Sequence, residues 1–297
     1  MRALVTGGRG FVGRWLVAHL ESSGDEVVAT GEDADVTDPA VMRRLLDEVG
    51  PEAVYHLAGW AHVGSSWDDP PRTFQVNAQG TVNVLDAARR LASPPRVLVV
   101  SSAEVYGSVT PDELPLTERS PTRPVSPYAA SKVAAEVVAR QAWLGWKLPV
   151  VVARPFNHIG PGQSPTFVVS ALARRIVEAE RAGSGRVEMG NPTPRRDLTD
   201  VRDVARAYRL LMVSGEAGET YNVCSGRDVV IGDLARRLIE LSGTPLELDT
   251  GTVEARPVDV PVLRGDRRRL EEATDWSPGI PLDRTLTDVL GWWREQP

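Results

Sequence analysis

Three glycines spaced by three, Gly7, Gly10 and Gly13 in Thr6-Gly7-Gly8-Arg9-Gly10-Phe11-Val12-Gly13, separate a short apolar run at 3–6 from a helical pattern that begins at residue 11. Few segments constrain a fold more. A strand that turns through glycine directly into a helix leaves the turn's backbone bare, so a pyrophosphate can approach its N–H groups while the helix N-terminus attracts the anion. The strand before and the helix after distinguish this pattern from an ordinary tight turn. The segment predicts a bound dinucleotide.

The first half of the chain repeats that alternation. Apolar runs at 26–29, 53–57, 97–100 and 150–152 read as strands, with helical periodicity near 11–22, 39–48, 71–91 and 127–144 between them. Such alternation builds βαβ units, hence an α/β fold with a doubly wound parallel sheet of the Rossmann kind. Beyond residue 156 the pattern loosens. Gly and Pro punctuate 160–165, 190–194 and 277–281, and helices are expected near 166–182, 231–242 and 282–295. We read a smaller interleaved α/β substrate domain there. On this division 1–160 hold the dinucleotide, about 197–224 returns to their sheet, and 161–196 with 225–297 bind substrate.

Composition narrows the partners. A net charge of -6 argues against general affinity for nucleic acid or an anionic membrane, so an anionic ligand must be held by local arginines. One cysteine, Cys224, excludes an internal disulfide, fits a reducing cytoplasm, and reads as a buried thiol in the strand-like run Tyr221-Asn222-Val223-Cys224. Four scattered histidines offer no metal-ligand spacing. No apolar run is long enough to span a bilayer and the sequence enters a strand directly, so a cytoplasmic location without membrane attachment is expected. The eight tryptophans, Trp143, Trp146, Trp292 and Trp293 among them, read as core or interface anchors.

Of 34 basic residues only Lys132 and Lys147 are lysines, and Lys132 follows Tyr128 by four in Ser126-Pro127-Tyr128-Ala129-Ala130-Ser131-Lys132. A chain that otherwise uses arginine keeps here a compact ammonium that a guanidinium does not imitate. On a helix residues four apart share a face, so the ammonium is expected beside the phenol, lowering its pKa from about 10. A tyrosine so placed exchanges a proton with substrate. Cofactor choice stays open between NAD and NADP. The second strand ends Ala29-Thr30-Gly31-Glu32 without the Asp that grips a ribose 2′-hydroxyl. Glu32 favours NAD, whereas Arg9 could reach a 2′-phosphate. Asp35 and Val36 are placed to meet the adenine.

The glycine loop, Ser101-Ser102-Ala103-Glu104 at a strand end, Tyr128-x-x-x-Lys132 and Arg154-Pro155-Phe156-Asn157 together resemble the extended short-chain dehydrogenase/reductase family that works on nucleotide sugars. The resemblance covers essentially the whole chain. It implies that Ser102 hydrogen-bonds the sugar O4, Tyr128 transfers the O4 proton, and Lys132 holds the nicotinamide ribose. It also implies cofactor contacts from Phe11, Val12, Leu57, Ala58, Gly59, Pro155 and His158. Substrate contacts would come from Ser66, with His62 in the same loop, and from Asn157, Phe167, Arg196, Arg256 and Asp259, the two arginines holding the diphosphate.

The expected reaction is NAD(P)H-dependent reduction of the C4 ketone of a nucleotide-linked 4-keto-6-deoxyhexose, GDP-4-keto-6-deoxymannose to GDP-D-rhamnose. Sugar dehydratases often carry an Asp-Glu pair after the serine. This chain has Ala103-Glu104, which disfavours the paired mechanism, although Glu104 alone leaves a 4,6-dehydratase or 4-epimerase with internally recycled NAD as the alternative. A non-catalytic dinucleotide sensor is the remote one. The resemblance further implies a homodimer pairing the 71–91 and 127–144 helices.

Overall fold

The computed structural model describes residues 1–251 and 260–297. β1 (Arg2–Thr6) passes through the glycine turn into α1 (Phe11–Ser22), and β2 (Glu26–Ala29) is followed by α2 (Pro39–Val49). The carboxylate of Asp38 starts α2 by accepting from the N–H groups of Ala40 and Val41. β3 (Ala53–His56) leads through α3 (Pro70–Phe74), a π-helical turn at Gln75–Gln79 and α4 (Gly80–Arg90) to β4 (Arg96–Val100). α5 (Pro127–Trp146), capped by the Ser126 hydroxyl on Ala129 N–H, leads to β5 (Val150–Pro155) and β6 (Asn157–Ile159).

The later elements are α6 (Val168–Ala182), β7 (Arg186–Glu188), β8 (Arg195–Asp200), α7 (Val201–Ser214), β9 (Thr220–Val223), β10 (Asp228–Val230) and α8 (Ile231–Ser242). β11 (Glu247–Asp249), β12 (Val262–Leu263), α9 (Arg268–Thr274) and α10 (Leu282–Glu295) complete the description. The helix expected near 71–91 forms over residues 70–90, with one π-helical turn at Gln75–Gln79 inside it. At the π turn the Asn77 side chain grips the backbone of Trp60 on both its N–H and its carbonyl, and an extra residue in the turn lets it face that way.

Among the described residues six parallel strands form one sheet in the order β2-β1-β3-β4-β5-β9, as the alternation predicts. The chain leaves β1 toward β2 on one side and returns to β3 on the other. That reversal opens a crevice at the carboxyl ends of β1 and β3, where doubly wound sheets take their ligands. α1 and α7 cover one face, burying Leu16, Leu20, Tyr208, Leu211 and the wholly enclosed Trp276. α2, α4 and α5 cover the other with Met42, Leu46, Leu85 and Ala139. Each large apolar side chain so buried contributes about 1.5–3 kcal/mol.

A smaller lobe packs α6, α8 and α10 around Leu172, Ile176, Leu234, Leu286 and Leu290. Its strand β8 pairs with β10, β12 and β6, and β6 follows β5 after a single residue. Val105, Tyr106, Phe156 and Leu263 form a further apolar cluster where β12 approaches the β4 and β5 ends. Cys224 is buried in that cluster, and burial pushes its thiol pKa up. No helix among the described residues is long and apolar enough to cross a membrane.

Candidate active site

A cleft of about 1050 Å³ runs along the carboxyl ends of the sheet into the smaller lobe. At its first end lies the glycine turn. Gly7 adopts φ 71°, a conformation that favours glycine, and Gly10 N–H closes the turn on Gly7 O at 3.0 Å. No side chain caps α1, so its first N–H groups are left for a ligand. A methyl at Gly13 would stand 2.6 Å from backbone atoms of Gly8, so only glycine lets α1 sit this close to the turn. Bare backbone, a helix N-terminus and close packing together suit a pyrophosphate.

Arg9, Gly10, Phe11 and Val12 line the cleft from this turn, and Leu57, Ala58 and Gly59 line it from the end of β3. Glu32, Asp35 and Val36 border the outer part. Asp35 shapes its own turn, accepting from Thr37 N–H and Oγ1 at 2.8 Å each. Sequence reading missed Asp33. Its carboxylate accepts from Gly31 N–H at 2.9 Å and pairs with Arg9 at 3.1 Å, so the base in the glycine loop already has an acidic partner. The signal was an acid one residue past Glu32, in a turn that β2 periodicity does not reach.

The other end collects Ser102, Glu104, Tyr128 and Lys132, with Pro155, Asn157, His158 and Phe167 opposite. Ser102 caps the turn after β4, accepting from Glu104 N–H at 3.2 Å. Tyr128 and Lys132 project from the first two turns of α5, both 8% exposed. Burial pushes the phenol up to about 12, helped by the Glu104 carboxylate, while a hydrogen bond from Ser102 works the other way. The expected lowering by Lys132 is therefore corrected. Its ammonium lies 5.9 Å from the ring centroid and donates to Val100 O at 2.8 Å, and burial pushes it down to about 8. With the chain's own groups alone, desolvation outweighs the Ser102 hydrogen bond.

His158 stacks on Phe11 at 6.2 Å and meets Phe156 O through Nδ1 at 3.1 Å, with its pKa lowered by burial. Phe167 heads α6 and meets the His62 ring edge-on at 6.0 Å.

Four substrate-side residues stand differently. Ser66 is fully buried and turned inward: its hydroxyl donates to Val63 O at 2.6 Å and accepts from Tyr128 N–H at 3.2 Å, so it pins the loop to α5 instead of facing the cleft. Arg196 lies on β8 opposite Leu263, which borders the cleft, but is not itself part of the lining. Arg256 and Asp259 lie outside the described residues.

Asn77 was also missed. Besides Trp60 it donates to Ser131 Oγ at 2.9 Å, and Ser131 donates to Tyr128 O at 2.7 Å, so the π turn braces α5. A polar residue on the inward face of an otherwise amphipathic helix was the available sign. Among the described residues no cluster of His, Cys, Asp or Glu is suited to a metal ion.

Residues 3–224 match the NAD dependent epimerase/dehydratase family, and the chain belongs to it. It is 38% identical to GDP-6-deoxy-D-mannose reductase of Pseudomonas aeruginosa, over 99% of this chain and 98% of that one. Its fold matches the structure of RMD from Pseudomonas aeruginosa complexed with NADPH at a TM-score of 0.92, with 37% identity and 99% of each chain covered. It likewise matches UDP-glucose 4-epimerase of Thermus thermophilus in complex with NAD, at a TM-score of 0.90, 29% identity and 99% of each chain.

Proposed function

We propose that the chain reduces the C4 ketone of a nucleotide-linked 4-keto-6-deoxyhexose, converting GDP-4-keto-6-deoxymannose to GDP-D-rhamnose at the expense of NADPH or NADH. The observation that carries this reading is Tyr128: a phenol kept neutral by burial, beside Ser102, in a cleft whose far end suits a dinucleotide. Reduction needs a proton delivered to O4, and a neutral phenol is the form that delivers it. Ala103 supplies no second acid for expelling water, and the 38% identity to a GDP-6-deoxy-D-mannose reductase points the same way.

A bound nicotinamide supplies the hydride, and the chain supplies the remainder. Ser102 Oγ donates to O4 and orients the ketone. Tyr128 gives its hydroxyl proton to O4 as negative charge develops there. Lys132 holds the nicotinamide ribose, and His158 and Pro155 border the carboxamide side. Gly7, Gly10 and Gly13 receive the pyrophosphate, with Asp35 and Val36 at the adenine. Asn157 and Phe167 face the sugar nucleotide, whose diphosphate runs toward Arg196.

In this reading residues 1–160 with about 197–224 bind the cofactor, and 161–196 with 225–297 bind substrate, in a cytoplasmic protein. A homodimer is part of the proposal. Val137 and Leu144 of α5 are 63% and 54% exposed, seven residues apart on one face, and Phe74 of the adjoining α3 is exposed as well.

The test is to supply GDP-4-keto-6-deoxymannose with NADPH or NADH and follow the reduced cofactor's absorbance alongside the sugar product. Consumption matching GDP-rhamnose formed is the expected result. Sugar conversion without net cofactor consumption would replace the reading with an epimerase or dehydratase, and no conversion of this substrate would remove it.

A further inference from the structure

Along α5, Tyr128, Lys132 and Glu136 follow at intervals of four and share one face, and the reaction described so far uses only two of them. The Glu136 side chain is 12% exposed, so its interactions are little screened by water. Its Oε1 accepts from Ser101 Oγ at 2.5 Å and from Arg154 Nε at 2.8 Å, and its Oε2 accepts from Arg154 Nη2 at 2.6 Å. The two-pronged pairing fixes the carboxylate's orientation. Arg154 is itself anchored, donating to the Tyr106 hydroxyl at 3.0 Å and to Glu118 O at 3.2 Å.

The reacting groups come from two elements: Tyr128 and Lys132 from α5, and Ser102 from the end of β4. Two contacts clamp those elements together. Lys132 Nζ holds Val100 O, and Glu136 holds the hydroxyl of Ser101, the residue next to Ser102. We propose that Glu136 is a positioning residue for the reduction: through Ser101 it sets Ser102 against Tyr128, and its carboxylate stands one helical turn from Lys132 on the same face of α5. The proposal rests on the reductase reading of the same site.

Several groups surround the ammonium. Tyr128 and Glu136 share its helix, and β3 contributes His56, which burial pushes down to about 3 and so leaves neutral. Glu104 follows β4, Arg154 lies on β5, and Tyr208 of α7 stands behind Tyr128. Burial lowers the ammonium's pKa and Glu136 raises it. Glu136→Gln removes the raising charge and leaves the Arg154 cation without its counter-ion. Both changes favour the neutral amine.

Because Lys132 and Lys147 are the only lysines, protein labelled with carbon-13 at lysine Cε gives two resonances, and Lys147→Arg assigns them. In the unaltered chain the Lys132 resonance should titrate near about 8. In Glu136→Gln the midpoint should fall by about one unit or more. Ser101→Ala cuts the strand-end tie and keeps the ion pair. It should lower kcat about tenfold or more, with the KM for NADPH and the Lys132 midpoint unchanged.

A midpoint unmoved in Glu136→Gln, or a kcat unchanged in Ser101→Ala, overturns the proposal. If Glu136→Gln does not fold, Ser101→Ala decides alone. Should the unaltered protein not reduce the ketone, the reductase reading fails first, and the positioning claim falls with it whatever the lysine titration gives.

Discussion

Gly13→Ala tests how the glycine turn works, since the added methyl has only backbone to meet. It would stand 2.6 Å from the carbonyl carbon and Cα of Gly8, and closer still to Gly7 O. Carbon pairs rest at about 3.5 Å or more, so the start of α1 and the turn must part by roughly 1 Å. No side chain can rotate to relieve the contact. Such overpacking costs about 1–3 kcal/mol, within the ~5–15 kcal/mol that holds a domain folded, so the variant should still fold with a lower Tm. The parting separates the turn's N–H groups from the helix end that together receive the pyrophosphate. Losing one turn N–H bond to the pyrophosphate costs about 1.5–3 kcal/mol, so NADPH affinity should fall about 10–100-fold. Calorimetric titration with NADPH, beside a thermal melt, measures both. A lowered Tm with an NADPH Kd within ~3-fold of the unaltered protein would refute the reasoning.

Tyr128→Phe removes the proton donor and keeps the ring, so kcat should fall about 10²–10⁴-fold while NADPH affinity measured by titration stays put. The rate should decline as pH rises through about 8, because the Lys132 ammonium lost there is the form that binds, while Tyr128, pushed up to about 12, keeps its proton throughout; a pH profile of kcat/KM flat through that range contradicts this. Leu144→Arg places a charge on the exposed apolar face of α5 and should turn a dimer into a monomer by light scattering, with the fold unchanged by circular dichroism.

What the sequence made legible follows the range of each physical requirement. The glycine turn was readable because its demands lie within seven residues, and the parallel sheet because strand and helix periods alternate in the open. Ser66 is not part of the cleft lining: a motif position does not say which way a hydroxyl turns, and here its partners are Val63 O and Tyr128 N–H 62 residues away. The π turn at Gln75–Gln79 brings Asn77 to Trp60, a contact no helical period encodes. Spacing put Lys132 beside Tyr128, yet the sign of the phenol's shift came from burial by the whole fold, which spacing does not report. Glu136 and Arg154 sit on different elements, so their pairing appears only once β5 lies beside α5.

The most direct test of the central claim follows the hydride itself. Supplied with GDP-4-keto-6-deoxymannose and NADPH or NADH carrying deuterium at nicotinamide C4 on the transferred face, the protein should place one deuterium at C4 of GDP-rhamnose for each cofactor oxidised. Product formed without deuterium at C4, and with the labelled cofactor left intact, would contradict the account.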